Sequence, residues 1–399
     1  MSKNYSPGDV LDVKIEKILP RGVGLAFAEK LTLFVPLAAP GDRLRVRIED
    51  IRKRTAFAEI VDIIEPSPRR TEPPCPHFSV CGGCDFQQMD YGAQLSAKTG
   101  IIRDCLHRIT KIDDAKVEMI GSPEQFGYRS RARWHLDREA RKVGYFRSDS
   151  HDLVDVDKCP ILTREMQSAM ETLKSEIDWK SLFDDRGEID VVAGDDGRVS
   201  MFSREMIGQV DEISAEAGGE RYAFSAKSFF QANRSLVGSL VETAIGGASG
   251  ETALDLYCGV GLFSVPLARK FTNVIGVEDS DIAVEFARKN SQIAKLTNLD
   301  IRRSSVRRFL NSTDLAGTDL ILIDPPRIGA EKGVIEKIAE IGPRAISYVS
   351  CEPSILARDL RILLDAAYTI DSITALDMFP QTHHVETVAR LSAAVVETE

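Results

Sequence analysis

Three short stretches of this chain carry residue types that do chemistry. Ser350-Cys351-Glu352-Pro353 supplies a thiol. Phe379-Pro380-Gln381-Thr382-His383-His384-Val385-Glu386 supplies a carboxylate and two imidazoles. Upstream of both, Asp255-Leu256-Tyr257-Cys258-Gly259-Val260-Gly261 is a glycine loop of the kind that lets backbone approach a nucleotide-like ligand. A thiol and a base beside a cofactor loop point to covalent catalysis.

The glycine loop alone is weak, because Gly259-Val260-Gly261 lacks the full dinucleotide fingerprint. Glu278, 17 residues past Gly261 and at the end of an expected strand, strengthens it. A carboxylate there accepts both hydroxyls of a ribose. The absence of a Lys-Ser/Thr phosphate loop argues against ATP. S-adenosylmethionine, with a ribose and no phosphates, suits the site better. The plainer alternative is a tight turn beside a surface glutamate.

Cys351 follows an apolar strand, where a lone cysteine is usually a buried packing residue. The case for a nucleophile is chemical. Carbon 5 of uracil is a poor nucleophile, and a thiolate adding to carbon 6 turns the ring into an enolate whose carbon 5 attacks an activated methyl. A base must then remove the carbon 5 proton so that the thiol is expelled. Glu386 is the natural candidate, with His383 and His384 as alternatives on the same loop. Asp324-Pro325-Pro326-Arg327 is like the Asp-Pro-Pro-aromatic motif of exocyclic amine methylation, but Arg327 replaces the stacking ring. An arginine there suits a phosphate or a base edge.

Seven cysteines and no apolar leader argue against a disulfide framework. Cys75, Cys81 and Cys84 fall within ten residues, and Cys159-Pro160 lies far downstream, a metal-binding pattern. Zinc and an iron–sulfur cluster both take four thiolates, and His77 is a further zinc ligand candidate. Cys105 and Cys258 read as packing residues.

These groups need elements to position them. Residues 8–64 read as five short strands, Val10 to Ile18, Val23 to Phe27, Leu31 to Val35, Asp42 to Ile51 and Thr55 to Ile64, which fit a small OB-type barrel. A proline-rich linker, Glu65 to Pro74, leads to the cysteine segment and a helix over Tyr91 to Thr110. The middle region is mixed, with a helix over Leu162 to Ser175 and strands at Val143 to Phe146, Ile189 to Val192 and Arg198 to Phe202. From Gly250, strands at Thr252–Leu256, Asn273–Val277, Asp319–Ile323 and Ala345–Val349 alternate with helices at Phe263–Lys270 and Asp281–Lys295. That alternation implies a parallel, doubly wound α/β sheet, whose ligands bind beyond the carboxyl ends of the strands. The glycine loop, Glu278, Asp324 and Cys351 all fall there.

The net charge of −10 hides an uneven distribution. Residues 1–70 carry 13 Lys+Arg against 10 Asp+Glu, and Arg129 to Arg147 holds seven basic residues among Trp134, Tyr145 and Phe146. Such a stretch either grips a nucleic acid or is a solvated strand face. No apolar run reaches the roughly 20 residues of a membrane span, so a cytoplasmic protein is expected.

With these motifs the chain resembles the RNA 5-methyluridine methyltransferase family, in particular its 23S ribosomal RNA branch, over nearly its whole length. The resemblance implies a class I S-adenosylmethionine-dependent methyltransferase domain (226–399), a central iron–sulfur and RNA-binding region (65–225) and an N-terminal TRAM barrel (1–64). The barrel's share of the likeness is Gly24, Val35-Pro36 and Pro40-Gly41. The resemblance implies a [4Fe-4S] cluster on Cys75, Cys81, Cys84 and Cys159, favouring it over zinc. Phe229-Phe230-Gln231-x-Asn233 resembles the start of the catalytic domain. The implied S-adenosylmethionine contacts are Gln231, Tyr257, Gly261, Glu278 and Asp324, with Cys351 as nucleophile and Glu386 as base. The expected partner is RNA, 23S rRNA above all, with no DNA or membrane partner, and the protein is expected to be a monomer. Two positions depart from the family pattern: Glu352 stands where an asparagine is usual, and Leu262 where relatives often carry an asparagine. A tRNA methyltransferase would share the catalytic motifs but often lacks barrel and cluster. A non-catalytic RNA-binding protein would need every reactive group to be a relic, and an exocyclic amine methyltransferase would leave Cys351 without a role.

Overall fold

A computed structural model describes residues 5–148, 150–182, 184–204 and 210–394. One unit comprises the residues up to Ile101 together with Lys142–Pro160 and Phe379–His384. The other comprises Ile102–Arg141, Ile161–Met378 and the chain from Val385.

The first unit opens with six strands: β1 (Val10–Lys14), β2 (Lys17–Leu19), β3 (Val23–Ala28), β4 (Leu31–Pro36), β5 (Arg43–Arg52) and β6 (Thr55–Glu65), in the order β1-β5-β6-β4-β3-β2. Strand periodicity drives the closure. Along β5, Leu44, Val46 and Ile48 face inward and Arg43, Arg45 and Arg47 outward. The expected strand Val10 to Ile18 is two strands, because its partner changes: Ile15 N–H donates to Asp42 O (2.9 Å) and Glu16 N–H to Leu25 O (2.8 Å). The linker is tied back to the barrel by a fully buried carboxylate. Asp42 accepts from Ala39 N (2.7 Å), Ser67 N (2.9 Å) and Arg70 Nη2 (2.7 Å). A buried charge this well bonded tolerates the loss of water.

Then follow α1 (Tyr91–Thr110), β7 (Glu118–Ile120), β8 (Arg131–Asp137), β9 (Lys142–Phe146), β10 (Leu153–Asp155), α2 (Arg164–Glu176), β11 (Arg186–Ala193) and β12 (Val199–Phe202). In the first unit β9 and β10 form an antiparallel pair. In the second, β11 pairs antiparallel with both β8 and β12. Trp134 on β8 is fully buried, so it is a core residue and no stacking surface. Arg133 beside it is held by Asp190 (3.0 Å), and Arg131 donates to Ser228 O (2.7 Å). Both arginines are thus bonded within the protein, although Arg133 stays exposed.

The remaining elements are β13 (Ile213–Ala217), β14 (Glu220–Phe224), α3 (Arg234–Ile245), β15 (Gly250–Leu256), α4 (Ser264–Leu267), β16 (Phe271–Glu278), α5 (Asp281–Ile293), β17 (Leu299–Arg303), α6 (Val306–Ser312), β18 (Leu320–Ile323), α7 (Val334–Ile341), β19 (Ala345–Ser350), α8 (Pro353–Asp365), β20 (Tyr368–Leu376) and β21 (Glu386–Ala393). They build an eight-stranded sheet in the order β17-β16-β15-β18-β19-β21-β20-β7. The strands β15 to β19 are parallel, and β18 is buried along its whole length, as a strand covered on both faces must be. β21 runs antiparallel to both β19 and β20. The sheet is therefore mixed where a purely parallel one was expected. Against the dinucleotide-binding order 3-2-1-4-5-6, the last strand is inserted in reverse between the fifth and sixth. The chain reverses between β15 and β18, which puts the ligand crevice at the end of β15.

Candidate active site

The crevice is lined by strand ends. After β15 the chain turns through Tyr257, whose φ is +63°, and Gly259 and Gly261, whose φ values are +55° and +87°. A Cβ at Gly259 would meet nothing within 4 Å, so the backbone there faces open space. The turn is drawn tight by Gly261 N–H donating to Cys258 O (2.8 Å). Glu278, the last residue of β16, accepts from Gly259 N (3.0 Å), Asp279 N (2.9 Å) and Ser280 N (2.8 Å). Three backbone donors fix that carboxylate against the glycine loop.

Two residues absent from the sequence reading fasten the loop from behind. Asn290 on α5 donates to Val260 O (2.9 Å) and accepts from Ala223 N (2.7 Å). Tyr222 on β14 donates to Leu262 O (2.9 Å). Both are buried, which is why period and motif do not reveal them. Leu262, the departure noted above, is itself buried. Asp255 also escaped notice as a site residue. It is fully buried, bonded to the Ser264 hydroxyl, and burial pushes its pKa up to about 7.

Gln231 lies in the loop between β14 and α3 and is 4% exposed. Asp324 follows β18 directly, and burial pushes it up to about 7. The Tyr257 hydroxyl accepts from Glu331 N (3.3 Å), and burial raises it to about 12.

Cys351 follows β19, and Glu386 opens β21. The antiparallel register pairs Ser350 with Thr387, so the next residues, Cys351 and Glu386, come opposite one another. Of Glu386 and its two alternatives, His383 and His384, it is Glu386 that the register sets opposite Cys351. Burial, then the Glu386 carboxylate, pushes the Cys351 thiol up to about 12, while Arg327 pulls it down. Burial, then Asp324, raises Glu386 well above the usual carboxylate range, again opposed by Arg327. Glu352 does not crowd the thiol. It caps α8, its carboxylate accepting from the Ser354 hydroxyl (2.8 Å) and Ser354 N (3.4 Å). Pro353 at the first helical position completes that start.

In the first unit, His383 is paired with Asp85 through Nδ1. Cys75, Cys81, Cys84 and Cys159 lie in the same unit, and none forms a disulfide. Gly83 N–H donates to Cys81 Sγ (3.4 Å), and Gly82 N–H to Phe146 O (2.9 Å) on β9. Among the described residues, no three His, Cys, Asp or Glu side chains are gathered into a metal-holding group. Cys105 and Cys258 are buried, as expected of packing residues. Among the described residues no helix is long and apolar enough to cross a membrane.

Strand order, glycine loop and strand-end carboxylates together define a class I S-adenosylmethionine-dependent methyltransferase fold. Residues 180–394 match the tRNA (uracil-5-)-methyltransferase family, and residues 11–69 match the TRAM domain of tRNA (uracil(54)-C(5))-methyltransferase. The chain is 32% identical to the 23S rRNA (uracil(1939)-C(5))-methyltransferase RlmD of Pectobacterium atrosepticum, over 96% of this chain and 94% of that one. It is 30% identical to its counterpart from Vibrio parahaemolyticus, over 94% of each. The crystal structure of Pyrococcus abyssi tRNA (uracil-54, C5)-methyltransferase with S-adenosyl-L-homocysteine superposes with a TM-score of 0.74 at 27% identity, covering 95% of this chain and all of that one. The chain belongs to the RNA uracil-C5 methyltransferase family.

Proposed function

We propose that this protein methylates carbon 5 of a uridine in 23S rRNA through a covalent adduct on Cys351. The observation that carries the reading is the β19–β21 register, which sets a thiol opposite a buried carboxylate beyond the strand ends. Cys351 reacts as the thiolate, its proton having passed to solvent: Sγ bonds to carbon 6, and the electrons of the ring double bond shift to carbon 5 and its neighbouring carbonyl. Once carbon 5 has gained the methyl, Glu386, acting as the carboxylate, takes the carbon 5 proton. The electrons of that C–H bond re-form the ring double bond, and the S–C6 bond breaks. Arg327 favours the anionic forms of both groups.

S-adenosylmethionine supplies a methyl group on a positively charged sulfur. The site suits it: backbone without side chains at Gly259 and Gly261, and Glu278 to accept ribose hydroxyls. Gln231, Tyr257 and Asp324 would complete its contacts. The choice of 23S rRNA rests on the two relatives of that name, which span nearly the full chain. The barrel and the exposed part of the Arg129–Arg147 stretch would hold the RNA backbone. Cys75, Cys81, Cys84 and Cys159 are not gathered into a metal-holding group among the described residues, but they lie in one unit, and four thiols are the ligand chemistry of a [4Fe-4S] cluster. The cluster would join the cysteine segment to the chain beyond β10.

RNA with 5-fluorouracil at the target position tests the covalent step, since carbon 5 then has no proton to lose. The native enzyme should accumulate a denaturant-stable complex and Cys351→Ala none. Ordinary turnover by Cys351→Ala would end this reading. Mapping of methylated uridines in rRNA and tRNA from a deletion strain decides the substrate. Protein purified without oxygen should carry about four irons.

A further inference from the structure

A cluster of arginines that the sequence reading passed over stands at the carboxyl edge of the large sheet. Residues 299–312 hold four arginines and one acid, Asp300, in a chain of net charge −10. Arg302 and Arg303 close β17, and Arg307 and Arg308 lie in the first turn of α6. All four are exposed. β17 runs parallel to β16, and the register sets Arg303 opposite Glu278. Ser304 N–H, one residue on, donates to Glu278 O (3.0 Å). The arginines thus share a sheet edge with the glycine loop, Asp324 and Cys351, all within the second unit.

Internal pairing does not account for them. Arg302 bonds Asp300 (2.6 Å) and Arg303 bonds Asp281 (2.6 Å), and each of those side chains is more than half exposed. Ion pairs so open to water add little to stability. Arg307 and Arg308 have no carboxylate partner among the described residues. Helix stability does not account for them either. A helix start favours acids, because its free N–H groups carry partial positive charge. α2, α5 and α7 obey, with Glu165, Asp281 and Glu336 in their first turns. α6 has no acid there. Arg308 stands at its third position, where a glutamate would complete a capping box with Ser305. The Ser305 hydroxyl already accepts Arg308 N–H (3.3 Å). A local rule broken with no local gain marks residues that serve something outside the fold.

We propose that Arg302, Arg303, Arg307 and Arg308 form a landing surface for the phosphate backbone of the substrate RNA. The proposal rests on the RNA methyltransferase reading. Guanidinium suits that partner, since its planar fork matches phosphate oxygens and its charge does not titrate away. β17 lies four strands from β19, roughly 19 Å at ~4.8 Å per strand, so the surface holds nucleotides flanking the one at Cys351. Phosphate contacts fix register and carry no sequence information. The surface therefore governs affinity and leaves the choice of uridine to other contacts.

The full-length Arg307→Gln/Arg308→Gln variant tests it, through binding and single-turnover methylation of 23S rRNA and tRNA transcripts over a salt titration. Affinity for the transcript that the native enzyme methylates should fall ~10-fold at about 0.1 M salt. The slope of log affinity against log salt should shrink by about 1.4, the loss of two phosphate contacts on a single strand. The defect should appear in the RNA concentration giving half-maximal rate, with S-adenosylhomocysteine affinity native. Lys295→Gln removes an exposed cation just before β17, at the opposite end of that strand, and should leave the slope unchanged. Arg308→Glu should raise the denaturation midpoint, because an acid replaces a cation at the helix start, while RNA affinity falls. Native RNA affinity and slope in Arg307→Gln/Arg308→Gln, with methylation intact, would strike the landing surface and leave the methyltransferase reading standing. A fall in S-adenosylhomocysteine affinity in that variant would also overturn the proposal, because the arginines would then be supporting the cofactor loop. Methylation of neither transcript by the native enzyme would end the reading and take the landing surface with it.

Discussion

Glu278 and Glu386 are both strand-end carboxylates of one sheet, and they are built in opposite ways. Glu278 is half-buried and accepts three backbone N–H bonds, from Gly259, Asp279 and Ser280. Glu386 is 4% exposed, and burial and Asp324 raise its pKa against the pull of Arg327. The first is an acceptor frozen in direction, suited to recognising hydroxyls. The second is a group whose charged form burial disfavours, suited to moving a proton. On the proposed reading the same residue type serves recognition at one strand end and chemistry at another, and the two environments make the difference.

Changing each glutamate to glutamine is the sharpest way to break the comparison. Glu386→Gln should slow overall turnover by roughly 10²–10⁴-fold, the usual worth of a general base, with S-adenosylhomocysteine affinity untouched. Glu278→Gln should do the reverse. One carboxylate oxygen becomes an amide NH2 facing N–H donors, and the ribose loses an acceptor, so affinity for S-adenosylhomocysteine in calorimetry should fall ~10–100-fold. Adduct formation on 5-fluorouracil RNA at saturating cofactor should change much less. If the two variants share one defect, the sites are not separable and the contrast fails.

A smaller effect is expected at Arg327, the cation that lowers both Cys351 and Glu386. The sign follows directly. Removing the positive charge raises the thiol's pKa further, so less thiolate exists at any given pH. The acid limb of the pH–rate profile for adduct formation should therefore move to higher pH in Arg327→Gln. The side chain is exposed, so solvent screens it, and the move should be at most about one unit, a tenfold change in thiolate. A limb that stays put, with only RNA affinity lost, would assign Arg327 to phosphate binding.

Legibility in the sequence followed how local each feature is. The helix Tyr91–Thr110 appears as read, because its periodicity and its boundaries are local. The strand ends bearing Glu278, Asp324 and Cys351 were also visible, since a parallel strand buried on both faces leaves an unbroken apolar run. The expected helix Phe263–Lys270 shrinks to Ser264–Leu267, because the chain must already be turning to start β16 at Phe271. β20 and β21 went unread. They are antiparallel insertions in a parallel sheet, and no local pattern announces that partner. That blind spot mattered most, since the β19–β21 register is the observation on which the proposal of Glu386 over His383 and His384 rests. Asn290 and Tyr222 were hidden for a related reason: their bonds reach across 30 and 40 residues to the loop carbonyls of Val260 and Leu262.

Those hidden fastenings give the smallest effect. Tyr222 is fully buried, and its hydroxyl donates to Leu262 O at 2.9 Å. Tyr222→Phe removes the donor with little change of shape and leaves a buried carbonyl unpaired, a loss of about 1–3 kcal/mol of stability. The glycine loop should nevertheless keep its form, because Asn290 still holds Val260 O (2.9 Å) and Glu278 still accepts Gly259 N–H (3.0 Å). The expected outcome is a lower denaturation midpoint with S-adenosylhomocysteine affinity within about threefold of native, roughly 0.7 kcal/mol at most. A loss of affinity as large as that of Glu278→Gln would mean that the loop hangs on the tyrosine. Glu278 would then be held in place by its neighbours' support, and its three amide bonds would be a consequence of that support.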